Sequence, residues 1–227
     1  MSSFLAVGYQ FNFRPVFDNF PYLLAGLNLT VTVTVFSMAG ALVIGLVLSL
    51  ARLSSHRWLS SPANVYTQIF RGTPFLVQIL WIFYAMPILL HLTLPPVQSA
   101  IVAVALNGGA FCSEIFRAGI LAIGRGQREA ALSIGMTSWQ SLRRVILPQA
   151  FRLIVPPMGS VWVGLFKDTS LVSAITVTEL FHQAQVVAIR TYRPMEVYTV
   201  VALLYFFLTW PQARFVDFLY DKWRVRT

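Results

Sequence analysis

The length, composition and charge of this chain indicate a protein that is dissolved largely in lipid. Its 227 residues are 57% hydrophobic and only 11% charged, whereas a soluble domain normally carries about 25% charged residues. A soluble globular domain is therefore excluded. The net charge of +9 does not indicate nucleic-acid binding, because the basic residues lie between long apolar runs and form no patch with stacking aromatics. The single cysteine, Cys112, excludes an intrachain disulfide and a cysteine-rich metal site.

Long apolar stretches predict an all-α, polytopic membrane protein with a single transmembrane domain over residues 1–227. Crossing the hydrocarbon of a bilayer takes roughly 20 apolar residues. The segment Met1–Asp18 lacks a basic region followed by a cleavable apolar core, so we expect the first apolar helix to be its own insertion signal. Five transmembrane helices are predicted, at residues 21–50, 63–90, 97–123, 151–166 and 197–218. Pro74 and Pro87 should bend or interrupt the second, and the fourth is short.

The charges of the connections predict the orientation of these spans. The first and third connections and the C-terminal tail carry net positive charge, whereas the net charge of the second and of the fourth connection is zero. Positively charged connections stay in the cytoplasm. We therefore expect the N-terminus outside, the C-terminus in the cytoplasm, and the third connection, residues 124–150, as a cytoplasmic loop.

This cytoplasmic loop has the local chemistry of a helix, a turn and a second helix. Good helix formers precede Gly135, which can adopt the left-handed conformation that ends a helix. Thr137 can cap the next helix, with Gln140 three residues later as in a capping box. Pro148 should prevent the second helix from continuing. From the residues alone, the pair is either a docking element or a well-capped connector.

The loop resembles the EAA loop of ABC-importer permeases, whose pattern is Glu-Ala-Ala, three residues, Gly, nine residues, Ile, one residue, Leu-Pro. Glu129-Ala130-Ala131, Gly135 and Leu147-Pro148 match this pattern, and Val145 stands where Ile is usual. Further stretches resemble the polar amino-acid branch of that family, of the histidine/glutamine/glutamate type. They are residues 27–32, 70–74, 114–119 and 167–171.

The resemblance implies the transmembrane domain of a type I importer in a bacterial inner membrane. The chain would move a polar amino acid by alternating access, with a second, identical or similar permease chain and an extracytoplasmic substrate-binding protein. Two ATP-binding subunits would dock on the loop and bind ATP and Mg²⁺, leaving this chain without cofactor or enzymatic activity. A phosphate-binding loop needs Gly-Lys-Ser/Thr, but Lys167 and Lys222 are followed by Asp168 and Trp223. The implied coupling residues are Glu129, Ala130, Ala131, Gly135, Thr137, Trp139 and Arg143.

Charged groups within the spans are candidates for a substrate pathway, because such groups are costly in lipid. Glu114 and Arg117, three residues apart, either brace the third span as an ion pair or contact substrate. The run Lys167-Asp168-Thr169-Ser170 offers donors for a carboxylate and an acceptor for an ammonium. Alternatively, Lys167 and Asp168 neutralise each other and cap a helix.

Two other function classes are compatible with a helical membrane protein. An ion-coupled secondary transporter would need polar coupling sites within the spans and usually an internal repeat, and the sequence shows no repeat and few buried acids. A structural or assembly subunit would carry no transport path. The resembling family includes carriers of glutamate, aspartate, glutamine, histidine and arginine, so the identity of the amino acid stays open.

Overall fold

The computed structural model describes residues 9–223, which form helices joined by turns. The first eight residues of the N-terminal segment, and Arg224 and Arg226 of the basic tail, lie outside this range. The predicted all-α class is confirmed for the described residues. In chain order the α-helices are α1 (Arg14–Asp18), α2 (Phe20–Leu53), α3 (Arg57–Gly72), α4 (Phe75–Leu80), α5 (Met86–Leu90), α6 (Pro96–Leu121), α7 (Arg125–Ser133), α8 (Ser138–Ser141), α9 (Leu147–Asp168), α10 (Leu180–Thr191) and α11 (Pro194–Trp223). Trp81–Ala85 and Leu142–Ile146 are π-helical, and Thr169–Ile175 is a 3₁₀-helix.

Three of these helices, α2, α6 and α11, are long and apolar enough to cross a membrane. Two further pairs pass the same test together. The helix Arg57–Gly72 is bent by 112° against Phe75–Leu90, and Ser138–Ile175 is bent by 52° against Leu180–Thr191. By length and composition, the described residues therefore offer three spans, or up to five if each bent pair counts as one.

The bend between α3 and α4 lies at Pro74, one of the two prolines expected to interrupt this stretch. A proline forces the residue before it into extended backbone, and Thr73 has φ −112° and ψ 148°. The carbonyls that lose their helical partners are satisfied by side chains. The Gln78 amide donates to the carbonyls of Phe70 (2.8 Å) and Thr73 (3.0 Å), and the Asn107 amide of α6 also donates to Phe70 (3.2 Å). The break is thus a hydrogen-bonded element of the interior.

The prediction that Pro148 ends a helix is wrong. The helix runs without interruption from Ser138 to Asp168, and the π-helical turn Leu142–Ile146 lies directly before the proline. In this turn the N–H of Leu147 donates to the carbonyl of Leu142, five residues earlier, so the backbone widens where a proline would break an α-helix. The fourth apolar helix, expected at residues 151–166, is consequently the 22-residue α9.

Close contact between α2 and α6 forms the centre of the fold. A Cβ atom at Gly45 would lie 2.5 Å from Cβ of Cys112, and one at Gly109 would lie 2.6 Å from Cγ2 of Ile44. Both helices therefore need glycine at these crossing points. Cys112 is fully buried, as expected for a small filler. Small residues at helix contacts are typical of membrane proteins, where van der Waals packing replaces the hydrophobic drive between helices.

Four hydroxyl groups of α2 form hydrogen bonds within the protein. Thr30, Thr32 and Thr34 each donate to the carbonyl four residues earlier, as such side chains commonly do in membrane helices. Ser37 donates across the helix contact to the carbonyl of Ile101 in α6, at 3.2 Å. These bonds satisfy the hydroxyl groups inside an apolar helix, and that of Ser37 also links α2 to α6.

Replacing Gly45 by alanine should destabilise the protein by about 1–3 kcal/mol, because the added methyl overpacks the contact between α2 and α6. Thermal unfolding in detergent measures the effect. Gly72→Ala is the matched control, since nothing lies within 4 Å of a Cβ at that position. Equal unfolding temperatures for Gly45→Ala and wild type would show that the helices are not held this closely.

Candidate functional site

The turn between α7 and α8 has the glycine-dependent geometry that the sequence predicts. Gly135 has φ +84°, a conformation that side chains rarely adopt. The N–H of Gly135 donates to the carbonyl of Leu132 (3.0 Å), and the N–H of Met136 donates to that of Ala131 (3.1 Å). This pair of bonds is the Schellman arrangement, which satisfies the last carbonyls of α7. The turn is therefore rigid, and its direction is fixed by glycine.

The predicted capping box at the start of α8 is present. The backbone N–H of Gln140 donates to the Thr137 hydroxyl at 3.2 Å. In return, the backbone N–H of Thr137 donates to the Gln140 side-chain oxygen at 2.9 Å. Both bonds satisfy donors at the start of the helix that lack a helical partner. Together with the glycine turn, the box fixes the angle between α7 and α8.

Six of the seven predicted coupling residues lie at the surface. Ala131 is the exception: it is buried, so it can position α7 but cannot contact a partner. Two apolar side chains of the same segment are widely exposed, Trp139 at 65% and Ile134 at 75%. Ile134 was missed in the sequence, although an apolar residue beside a helix-ending glycine is a readable signal. We call the following exposed set the coupling surface: Glu129, Ala130, Ile134, Gly135, Thr137, Trp139 and Arg143.

Glu114 of α6 is the centre of an ion-pair cluster. Its carboxylate accepts from Arg52 of α2 at 2.8 Å, from Arg71 of α3 at 3.0 Å and from Arg117 at 3.2 Å. The predicted pair between Glu114 and Arg117 is therefore present, and two further arginines share the same carboxylate. Glu114 therefore joins α2, α3 and α6 through its ion pairs, whether or not it also contacts substrate.

Sequence reasoning linked neither Arg52 nor Arg71 to Glu114, and Arg52 is the more buried of the two. Its side chain is only 9% exposed and also donates to Asn64 of α3 (2.7 Å) and Ser113 of α6 (3.3 Å). Through Arg52, three helices meet at one point. The sequence places Arg52 beside the end of an apolar stretch, where it resembles a loop charge that sets orientation.

The run Lys167-Asp168-Thr169-Ser170 is placed only partly as predicted. Thr169 is buried, and its hydroxyl donates to the carbonyl of Phe166 at 2.7 Å. The hydroxyl of Ser170 donates to the carbonyl of Lys167 at 2.8 Å. Both hydroxyls therefore have backbone partners. Asp168 makes no capping bond to the 3₁₀-helix, and the ion pairs of residues 9–223 do not include one between Lys167 and Asp168.

Lys167 and Ser170 face a small cavity of about 240 Å³. Its other walls come from α10 and α11 and include three aromatic side chains, Phe181, Tyr198 and Tyr205. Asp168 does not line this cavity. The arrangement offers an exposed ammonium group beside aromatic walls, which suits a small polar molecule with an anionic end.

A buried carboxylate near this cavity, Glu179, was counted in the sequence only as a loop charge. It is fully buried and caps α10, accepting from the backbone N–H groups of Phe181 (2.9 Å) and His182 (2.7 Å). The Tyr205 hydroxyl of α11 donates to it at 3.0 Å. The adjacent N–H of Leu180 donates to a threonine hydroxyl of α2 at 3.2 Å. Glu179 thus joins α10 to α11, next to the contact with α2.

No metal-ligand cluster is found within the described part of the chain, where no three His, Cys, Asp or Glu residues could hold an ion together. His56 lies beside Ser54 in the turn before α3, with 3.4 Å between the ring nitrogen and the hydroxyl. His91 ends α5 in the left-handed conformation.

Glu114→Gln should destabilise the protein by about 1.5–3 kcal/mol, the usual range for losing hydrogen bonds to a charged group. The substitution leaves three guanidinium groups facing each other without a counter-charge. Thermal unfolding in detergent measures the loss, and Glu129→Gln, at an exposed position, is the control. If the two variants unfold at the same temperature, the cluster does not brace these helices.

Comparisons with known proteins agree on one kind of protein. A family model described as binding-protein-dependent transport system inner membrane component matches residues 41–224. The glutamine transport system permease protein GlnP of Escherichia coli K12 is 37% identical over 88% of this chain and 92% of its own length. The L-cystine transport system permease protein TcyB of Bacillus subtilis is 43% identical over 83% and 80%. A crystal structure of an amino acid ABC transporter with histidines has 32% identity and a TM-score of 0.87, covering 94% of this chain and all of that one.

Proposed function

Because this chain belongs to the family of binding-protein-dependent transport system inner membrane components, we propose that it moves polar amino acids across a bacterial inner membrane by alternating access. The predicted fold, that of an ABC-importer permease, is confirmed. The observation that carries the proposal is the match, over most of the chain, to amino-acid permeases of this family. These relatives favour an ABC permease over an ion-coupled transporter.

The coupling surface supports the assignment of a separate ATPase as the energy source. A protein–protein contact draws most of its binding energy from a few well-buried anchors, often aromatic. Trp139 and Ile134 are the two most exposed large apolar side chains of residues 124–150. Arg143 and Arg144 are exposed and follow Trp139 by four and five residues, about one helical turn. We assign this surface to the groove of an ATP-binding subunit, which binds ATP and Mg²⁺ and carries out the hydrolysis.

The rest of the assembly follows from the same assignment. The path for the cargo would lie between two permease chains, this one and an identical or similar copy. An extracytoplasmic substrate-binding protein would deliver the amino acid. The five predicted spans, with the N-terminus outside and residues 124–150 in the cytoplasm, put the coupling surface on the side where ATP is available.

For the cargo, we propose contacts at the outer end of α9. The ammonium of Lys167 at the 240 Å³ cavity can pair with the carboxylate of an amino acid, and the aromatic walls can enclose its backbone. Asp168 lies on a different side of the helix and would meet a cationic group of the cargo. Thr169, whose hydroxyl is bound to the backbone, shapes the turn. Glu114 lies farther toward the cytoplasm, on the exit path.

Reconstitution into proteoliposomes tests the energy source. With an ATP-binding subunit and a substrate-binding protein of the same transport system, uptake of radiolabelled glutamine, glutamate or cystine should require ATP inside the vesicles. It should survive a protonophore. Uptake that the protonophore abolishes and that does not require ATP would support ion coupling. Failure to accumulate any amino acid would support a structural subunit.

Gly135→Pro should abolish co-purification of the ATP-binding subunit while membrane insertion survives. Proline is confined to φ near −65°, whereas this turn needs φ +84°, so the coupling surface would lose its shape. Pull-down from solubilised membranes measures the association.

Gly126→Ala is the matched control for this experiment, since position 126 is exposed, helical and free of neighbours within 4 Å. It should retain the ATP-binding subunit at the wild-type level. If the Gly135→Pro variant also retains the ATP-binding subunit at the wild-type level, this loop is not the coupling element.

A further inference from the structure

The cluster around Glu114 contains more positive charge than it neutralises. Each of Arg52, Arg71 and Arg117 forms its ion pair with the same carboxylate, so one negative charge faces three positive ones. No other acidic group of residues 9–223 forms an ion pair with these arginines. Charges that are partly withdrawn from water need partners. An excess of two guanidinium charges at this place therefore favours a further anion.

The three arginines differ in their exposure. The side chain of Arg52 is 9% exposed, and each of its three guanidinium nitrogens is bonded inside the protein. The side chains of Arg71 and Arg117 are 44% and 36% exposed. A guanidinium group has five N–H donors. Arg71 uses one nitrogen for Glu114, and its guanidinium carbon lies 5.7 Å from the centre of the Phe111 ring. Most of its donors are therefore available to a ligand.

Arg71 and Glu114 line a concave pocket of about 490 Å³ between α6 and α9. The opposite wall is apolar and comes from Leu153 and Pro157 of α9. The two helices are held together at the floor, where a Cβ at Gly119 would lie 2.3 Å from Ile154. The pocket thus has an apolar side and a charged side, where Arg71 stands beside a carboxylate that three arginines share. The excess positive charge of the cluster and the apolar wall together suit an amphiphilic anion.

The pocket lies near one end of α6. Glu114 is about 10 Å along the helix axis from the last residue, Leu121, at 1.5 Å per residue. In the proposed orientation this end faces the cytoplasm. An anion could therefore enter either from cytoplasmic water or from the headgroup layer of the inner leaflet.

We propose that Arg71, supported by the positive charge of Arg117, binds an oxyanion group in the pocket between α6 and α9. The ligand is a carboxylate or phosphate on a molecule with an apolar part. A free amino acid and an anionic phospholipid both present this chemistry. The site is distinct from the Lys167 cavity, and its test does not require transport.

The test uses the full-length chain in nanodiscs of pure phosphatidylcholine, with thermal unfolding followed by tryptophan fluorescence. One arm adds sodium glutamate against sodium chloride at equal ionic strength, and the other replaces a fifth of the lipid by phosphatidylglycerol. At least one arm should raise the unfolding temperature by about 3–8 °C, the size expected for a ligand well above its Kd. The arm that responds identifies the source of the anion.

Arg71→Gln should abolish the shift, and Arg71→Lys should retain part of it. Without added anion, Arg71→Gln should be as stable as wild type or more so, because it removes one of the excess charges; this separates lost binding from lost folding. Arg57→Gln, an exposed arginine at the other end of α3, is the control and should keep the full shift. No shift in either arm, or equal loss in Arg57→Gln and Arg71→Gln, would overturn the proposal.

Discussion

The fold depends on the close approach of α2 to α6. Gly45 and Gly109 leave no room for a side chain between the two helices, so their backbones meet directly. Because the helices touch there, the C-terminal part of α2 lies beside that of α6. Arg52, about two helical turns after Gly45, can therefore bind Glu114. The ion cluster and the attachment of α3 through Asn64 follow from this contact. In lipid, where apolar surfaces gain little from meeting each other, such packing is the main means of holding helices.

Each break in a membrane helix is matched by side chains that bind the freed backbone groups. At the bend before α4, Gln78 and Asn107 bind the carbonyl of Phe70. At the start of α10, Glu179 accepts from two backbone N–H groups. Irregular backbone at membrane depth is tolerated only where protein or water satisfies it. The polar residues at these two breaks are therefore placed by the needs of the backbone around them.

The sequence predicted the parts of the structure that local chemistry determines. The capping box of Thr137 and the left-handed Gly135 join residues only three to five apart, so their pattern can be read directly. The ion pair of Glu114 with Arg117 is local in the same sense. The match of the EAA pattern indicated the family, which the comparisons confirm.

What the sequence did not predict depends on contacts between distant segments. Arg52 and Glu114 are far apart in the chain, and only the packing of α2 on α6 brings them together. Ala131 is buried on a helix whose neighbouring residues are exposed, and helix propensity does not encode which face of α7 is covered. Pro148 was misread because the usual rule assumes an α-helix, whereas the widened turn accepts a proline.

The unbroken helix from Ser138 to Asp168 also has a mechanical consequence. At 1.5 Å per residue it is a rod about 46 Å long, with Trp139 of the coupling surface near one end and Lys167 near the other. A tilt of about 5° at the Trp139 end displaces the far end by about 4 Å, a distance comparable to one helical rise of three residues. The π-helical turn and the Pro156-Pro157 pair both interrupt the regular hydrogen bonds of this lever arm, so bending at these two places reduces how much of the tilt reaches Lys167.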